Sequence, residues 1–166
     1  MRGVAELPGR GWRLKTAFRV LALAAMAVAA FASTVDHRQV IEARQANYRE
    51  IGGAYKGIRD ELHKPKPLMI MVRQHVDQLG MLAHSQANAD WFPPGSGLEA
   101  GVETEALPVI WERRAEFDRL REELNRETVK LADVLASGDR DALAAQHRAV
   151  GMVCKQCHDA YRREED

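Results

Sequence analysis

The 166-residue chain has only two cysteines, and aromatic residues make up 6% of it. Few aromatics beside plentiful Ala, Leu, Arg and Glu favour helices over strands. No segment alternates polar and apolar residues with period two over a useful length, so no sheet is expected. There are no internal repeats, which leaves out a solenoid. Net charge is absent too: 24 basic residues balance 24 acidic ones. A chain without a basic excess is not a general nucleic-acid binder. The apolar run Val20–Phe31 carries no charge but falls short of the about 20 residues that span a bilayer comfortably.

That run has a different meaning in its context. Arg2, Arg10, Arg13, Lys15 and Arg19 precede it, and Ala30-Phe31-Ala32 closes it as an A-x-A cleavage site. Residues 1–32 therefore read as a secretory signal peptide cleaved near Ala32, with residues 33–166 as the exported domain. No Arg-Arg pair stands in the basic segment, so export of the unfolded chain is expected. Removing residues 1–32 takes away five bases and one acid and leaves a mildly acidic chain with four more acids than bases. A periplasmic location is expected, with no membrane attachment after cleavage.

The two cysteines stand together in Cys154-Lys155-Gln156-Cys157-His158, a C-x-x-C-H sequence. This is the attachment signature of a c-type haem: two thiols add to the haem vinyl groups and the next residue offers an imidazole to the iron. On a helix, positions i, i+3 and i+4 share a face, so Cys154, Cys157 and His158 can address one planar cofactor. In an oxidising compartment a bare C-x-x-C could close as a disulfide, but the following His158 favours haem. A zinc site would need a fourth ligand that the sequence does not place nearby.

Four helices follow from the periodicity. The first runs from about Asp36 to Leu62, with Ile41, Arg44, Tyr48, Ile51, Tyr55, Ile58 and Leu62 as its seam, and Lys64-Pro65-Lys66-Pro67 ends it. The second runs from about Pro67 to Gln86, with a stripe of Met69, Val72, Val76, Leu79 and Ala83. Leu68, Met71, His75 and Leu82 widen that stripe, as burial against a core and a partner subunit would require. Residues 88–105 form an irregular loop in which Trp91 and Phe92 are expected to pack inward. One continuous third helix is expected from Ala106 or Pro108 to Ser137, with Arg113, Arg114, Glu116, Arg119, Arg121, Glu122 and Glu123 as its solvated face. Gly138 is a helix stop and Asp139 a cap for the fourth helix, which carries Leu143, His147, Val150, Cys154, Cys157 and Tyr161. The fold class expected is all-α, an antiparallel four-helix bundle with covalently attached haem.

Over roughly residues 36–163 the sequence resembles the cytochrome c′ family. The resemblance rests on Arg44 followed four positions later by Tyr48, on Trp91-Phe92 before a Pro/Gly-rich loop, and on Pro-Val-Ile-Trp at 108–111 with Phe117 beyond. The Ser-Gly-Asp turn at 137–139 and Cys154-Lys-Gln-Cys-His-Asp-Ala-Tyr-Arg162 complete it. It implies one haem c per chain, linked through Cys154 and Cys157, with iron held by His158 alone. It also implies a homodimer through the first two helices, an exported location, and binding of small gases, notably nitric oxide and carbon monoxide. By the same resemblance Tyr48 closes the distal face, Arg44 pairs with a haem propionate, and Arg162 lies beside His158. Trp91 and Phe92 are taken as haem contacts. No enzymatic activity is implied, and the redox partner stays unidentified.

Two other readings remain open on the residues. Low-spin relatives of this bundle shape place a methionine on the first helix as sixth ligand. The first helix here has none, so a six-coordinate electron carrier would need Met69, Met81 or a histidine of the second helix. A phenolate from Tyr48 could ligate ferric iron, but only with a lowered pKa. A bundle holding another metal, or none, is the third possibility.

Overall fold

A computed structural model describes residues 36–163. The signal-peptide reading of residues 1–32 lies outside them. Asp36 opens the described chain as an N-cap: its Oδ1 accepts the N–H groups of Arg38 (3.0 Å) and Gln39 (3.4 Å). Those contacts satisfy donors that the first helical turn leaves free. Helix α1, His37–Leu62, follows. It buries Ile41, Arg44, Ile51, Ala54, Ile58 and Glu61 along one face. Beyond Leu62 the two prolines prevent continuation. Glu61 then accepts the Leu68 N–H (3.2 Å), which fixes the start of α2, Met69–Asn88. Val72, Val76, Leu79, Ala83 and Gln86 are the buried face of α2.

Residues 89–108 form the long connection, with one 3-10 turn at Leu98–Ala100. The single third helix expected from the sequence is divided into a short α3, Val109–Glu112, and a long α4, Arg114–Ser137. Arg113 leaves helical geometry at φ −117°, ψ 43°. The break has a physical reason, since both sides of it are tied to the same loop carbonyl. Trp111 Nε1 donates to Phe92 O (3.1 Å) from α3, and Arg114 Nη1 donates to it (3.0 Å) from α4.

Gly138 ends α4 in the left-handed region (φ 78°), where a side chain would be strained. Asp139 then caps α5, Arg140–Tyr161, by accepting the Ala142 N–H (2.9 Å). The four long helices run antiparallel around one core, so the four-helix bundle is as expected. The described residues hold no strand beyond an isolated bridge between Ala106 and Arg162. The helices pair in a ring, α1 on α2, α2 on α4 and α4 on α5; α1 on α5 is the loosest edge.

The core has two parts. Ile51, Ile58, Val76, Leu79, Leu131 and Val150 anchor the larger one. Each such side chain, fully buried, contributes about 1.5–3 kcal/mol of hydrophobic stabilisation. The smaller part is aromatic: Phe92, Phe117 and Tyr161 with Ile110, at the end where α5 finishes. Tyr48 and Trp91 touch both.

Candidate haem site

Cys154 and Cys157 lie one turn apart near the C-terminal end of α5, both half-buried and not joined to each other. Cys154 packs on the larger core and Cys157 on the aromatic one. Burial pushes both thiols up, Cys157 to about 12 with a further contribution from Cys154. Both are therefore neutral thiols at pH 7. Opposite them stands Tyr48 from α1, packed against both parts of the core. Its ring meets Trp91 edge-on (centroids 5.4 Å apart, 88°) and Phe92 at 6.1 Å. Phe92 in turn meets Phe117 (4.7 Å), and Phe117 meets Tyr161 (5.1 Å). Trp91 and Phe92 thus pack inward from the loop, as the sequence suggests.

Burial, then Cys157, pushes the Tyr48 phenol well above its usual range. This is the opposite of what a phenolate ligand requires. The Tyr48 hydroxyl donates to Gln86 Oε1 (3.4 Å).

Arg44 is buried one turn before Tyr48. Its Nη1 donates to Trp91 O (3.3 Å) and Ser96 Oγ (3.1 Å), and its Nη2 to Ser96 O (3.0 Å) and Thr104 Oγ1 (3.1 Å). The guanidinium also lies over the Phe92 ring at 4.4 Å. Arg44 therefore ties the loop to α1, with both Nη groups turned to that loop. Burial lowers its pKa.

His158 sits at the rim of the site, exposed to solvent, and its ring makes no hydrogen bond among the described residues. Partial burial, then the charge of Arg162, pulls its imidazole below the usual value. Arg162 follows His158 by one helical turn, donates its main-chain N–H to His158 O (3.1 Å), and pairs through Nε with Glu105.

Two residues of this region were not foreseen. Arg121, expected on the solvated face of the third helix, is 5% exposed. Its Nε donates to Gln86 Oε1 (3.2 Å), and its Nη2 reaches the main-chain oxygens of Gln86 and Ala89. Asp118 pairs with its Nη1 at 2.7 Å. Gln86, also unremarked in the sequence, is fully buried. The main-chain oxygens that end α2 are what draw Arg121 inward, since buried carbonyls need donors.

The donor set fits a covalent haem. Two neutral thiols at i and i+3 look into an aromatic wall, an imidazole with free nitrogens adjoins them, and the adjacent α1–α5 edge is the loosest of the ring. Among the described residues, no three His, Cys, Asp or Glu side chains gather to hold a bare metal ion, which removes the support for zinc. No described helix is long and apolar enough to cross a membrane.

Comparisons with known proteins agree with this geometry. A family profile described as Cytochrome C' matches residues 39–162. A cytochrome c' from Allochromatium vinosum is 28% identical over 148 residues, which is 89% of this chain and 94% of the relative. One from Alcaligenes xylosoxydans xylosoxydans is 39% identical over 74 residues, or 45% of this chain and 56% of that one. Among solved structures, the cytochrome c' of Thermochromatium tepidum superposes with a TM-score of 0.70 at 25% identity, covering 80% of this chain and all of that one. A nitric oxide complex of a variant cytochrome c prime from Alcaligenes xylosoxidans superposes with a TM-score of 0.69, also at 25% identity and with the same coverage. With its C-x-x-C-H turn on the last helix of a four-helix bundle, the chain belongs to the cytochrome c′ family, whose members bind haem c.

Proposed function

We propose that this is an exported haem c protein whose iron has one protein ligand, His158, and an open side for small uncharged gases such as nitric oxide and carbon monoxide. The observation that carries the reading is the wall facing the thiols: Tyr48, Trp91 and Phe92 offer neither sulfur nor imidazole as a second ligand. The likeness to a relative solved as a nitric oxide complex supports the same reading. When bound, the haem supplies an iron able to take up diatomic gases.

The chain's own residues supply the rest. Cys154 and Cys157 fix the cofactor to α5. His158 presents a ring nitrogen with no competing partner, and Arg162 beside it opposes imidazolate character, which keeps that ligand weak. Trp91 and Phe92 keep water from the open side. Arg44 holds their loop and leaves its Nε–H as the donor able to meet a propionate. Tyr48 lines the way to the open side, so its packing governs affinity and rate.

A six-coordinate electron carrier gains no support. Met81 is 68% exposed and Met69 is 39% exposed, so neither faces the thiols, and His75 is packed over Gly57. Tyr48→Ala is expected to speed carbon monoxide binding by an order of magnitude or more, read by flash photolysis; an unchanged rate would remove Tyr48 from the gas path.

Export and pairing belong to the same proposal. Leu68, Ile70 and Met81 on and beside α2 are exposed apolar residues suited to covering by a second copy. Protein recovered from a periplasmic extract is expected to begin near residue 33 and to sediment at twice the chain mass. A retained N-terminus or a monomeric boundary would refute the corresponding half.

A further inference from the structure

Resting on the gas-binding reading, we propose that Gln86 determines which gas the site accepts, by engaging the Tyr48 hydroxyl and withholding it from any bound diatomic. A phenol has one proton to donate. In this structure it is directed at Gln86 Oε1 (3.4 Å). That oxygen is an acceptor only, and the amide cannot be turned round. Gln86 Nε2 donates to Ala83 O (3.2 Å) and Arg121 O (2.8 Å), and Arg121 Nε donates to the same Oε1 (3.2 Å). A flipped amide would set its NH2 group against the Arg121 Nε–H and turn its oxygen toward two carbonyls.

Arg121 is itself fixed by Asp118 (2.7 Å) and by Ala89 O (2.5 Å). The acceptor is thus built into the α2–α4 contact, at two residues with 0% and 5% exposure. On the other side, the Trp91 edge and the Phe92 ring limit how far the phenol can swing. Bound oxygen gains from a hydrogen-bond donor, whereas carbon monoxide and nitric oxide gain little. Tyr48 looks like such a donor, but Gln86 cancels it. Discrimination against oxygen comes from an acceptor outside the pocket wall, and Arg121 positions that acceptor.

The CO-stretching band of the ferrous, carbon monoxide-saturated holoprotein tests this. Tyr48→Phe is expected to leave the band in place, because the hydroxyl it removes does not face the gas. Gln86→Leu is expected to lower the frequency as the freed hydroxyl turns inward, and to reduce the carbon monoxide to oxygen affinity ratio by about tenfold, the equivalent of one hydrogen bond. Adding Tyr48→Phe to Gln86→Leu restores both. A purely structural role for Gln86 would produce no shift that depends on the Tyr48 hydroxyl.

A band that rises in Tyr48→Phe overturns the inference while leaving gas binding intact, and so does an unmoved band in Gln86→Leu. Should Gln86→Leu not fold, the Tyr48→Phe band alone decides. A ferrous protein with no carbon monoxide band at all overturns the gas-binding reading, and this inference with it.

Discussion

Replacing Cys154 and Cys157 together with alanine is expected to give a chain from which acidified acetone extracts all the haem, and which shows no haem stain on a denaturing gel. These are the only thiols in the sequence, so no other side chain can form the thioether bonds. Both thiols are held neutral by burial, so their removal strands no buried partner charge. Truncation to alanine costs the helix little, because alanine is the best helix former. The far-UV spectrum of the double variant is therefore expected to keep its helical shape while covalent haem falls to nothing. Each single variant retains one thioether and resists extraction. Haem that stays with the doubly substituted chain would mean attachment by another route.

The second large effect concerns stability. Arg44→Ala is expected to cost roughly 2–4 kcal/mol, because it removes four donor contacts and orphans buried acceptors in the loop. For a bundle of this size that corresponds to a melting temperature lower by about 10 °C. Arg44→Lys is not expected to rescue it, since one ammonium cannot reproduce a fork that reaches Trp91 O, Ser96 and Thr104 together. The loop over residues 89–105 should become a preferred proteolytic site in both variants. A melting temperature within about 2 °C of the parent would show that the loop is held by its other contacts, chiefly those of Trp111 and Arg114 to Phe92 O.

How far the sequence carried the structure depended on residue type. Periodicity found Ile41, Arg44, Ile51 and Ile58 on α1 and Val72, Val76, Leu79 and Ala83 on α2, but it missed Ala54 and Glu61 and placed the exposed Met69 in the stripe; Gly138-Asp139 marked the α4–α5 turn because both act through local backbone geometry. Arg44 was legible through its place in the seam and through family resemblance, although its partners were not. Arg121 was misassigned for its charge alone. It follows Phe117 by four positions and precedes Leu124 by three, so its spacing had already placed it on the buried face. Gln86 continues the Leu79, Ala83 spacing in the same way. The polar ends of these side chains are satisfied by main-chain oxygens distant in sequence, which no local pattern reveals. The break at Arg113 was hidden for a related reason. It exists to serve the Phe92 carbonyl, and nothing in residues 108–137 contains that carbonyl.

The loose α1–α5 edge also bears on the order of folding. Contacts of α1 with α2 and of α4 with α5 join neighbours in the chain, so little loop entropy opposes those hairpins and they are expected to form first. Bringing α1 to α5 joins the two ends of the described chain and closes the longest loop for the fewest direct contacts. That closure is the step with the least to drive it from protein surfaces alone. A haem held by Cys154 and Cys157 on α5 would add surface at this edge, and cofactor attachment would then favour the final closure of the bundle.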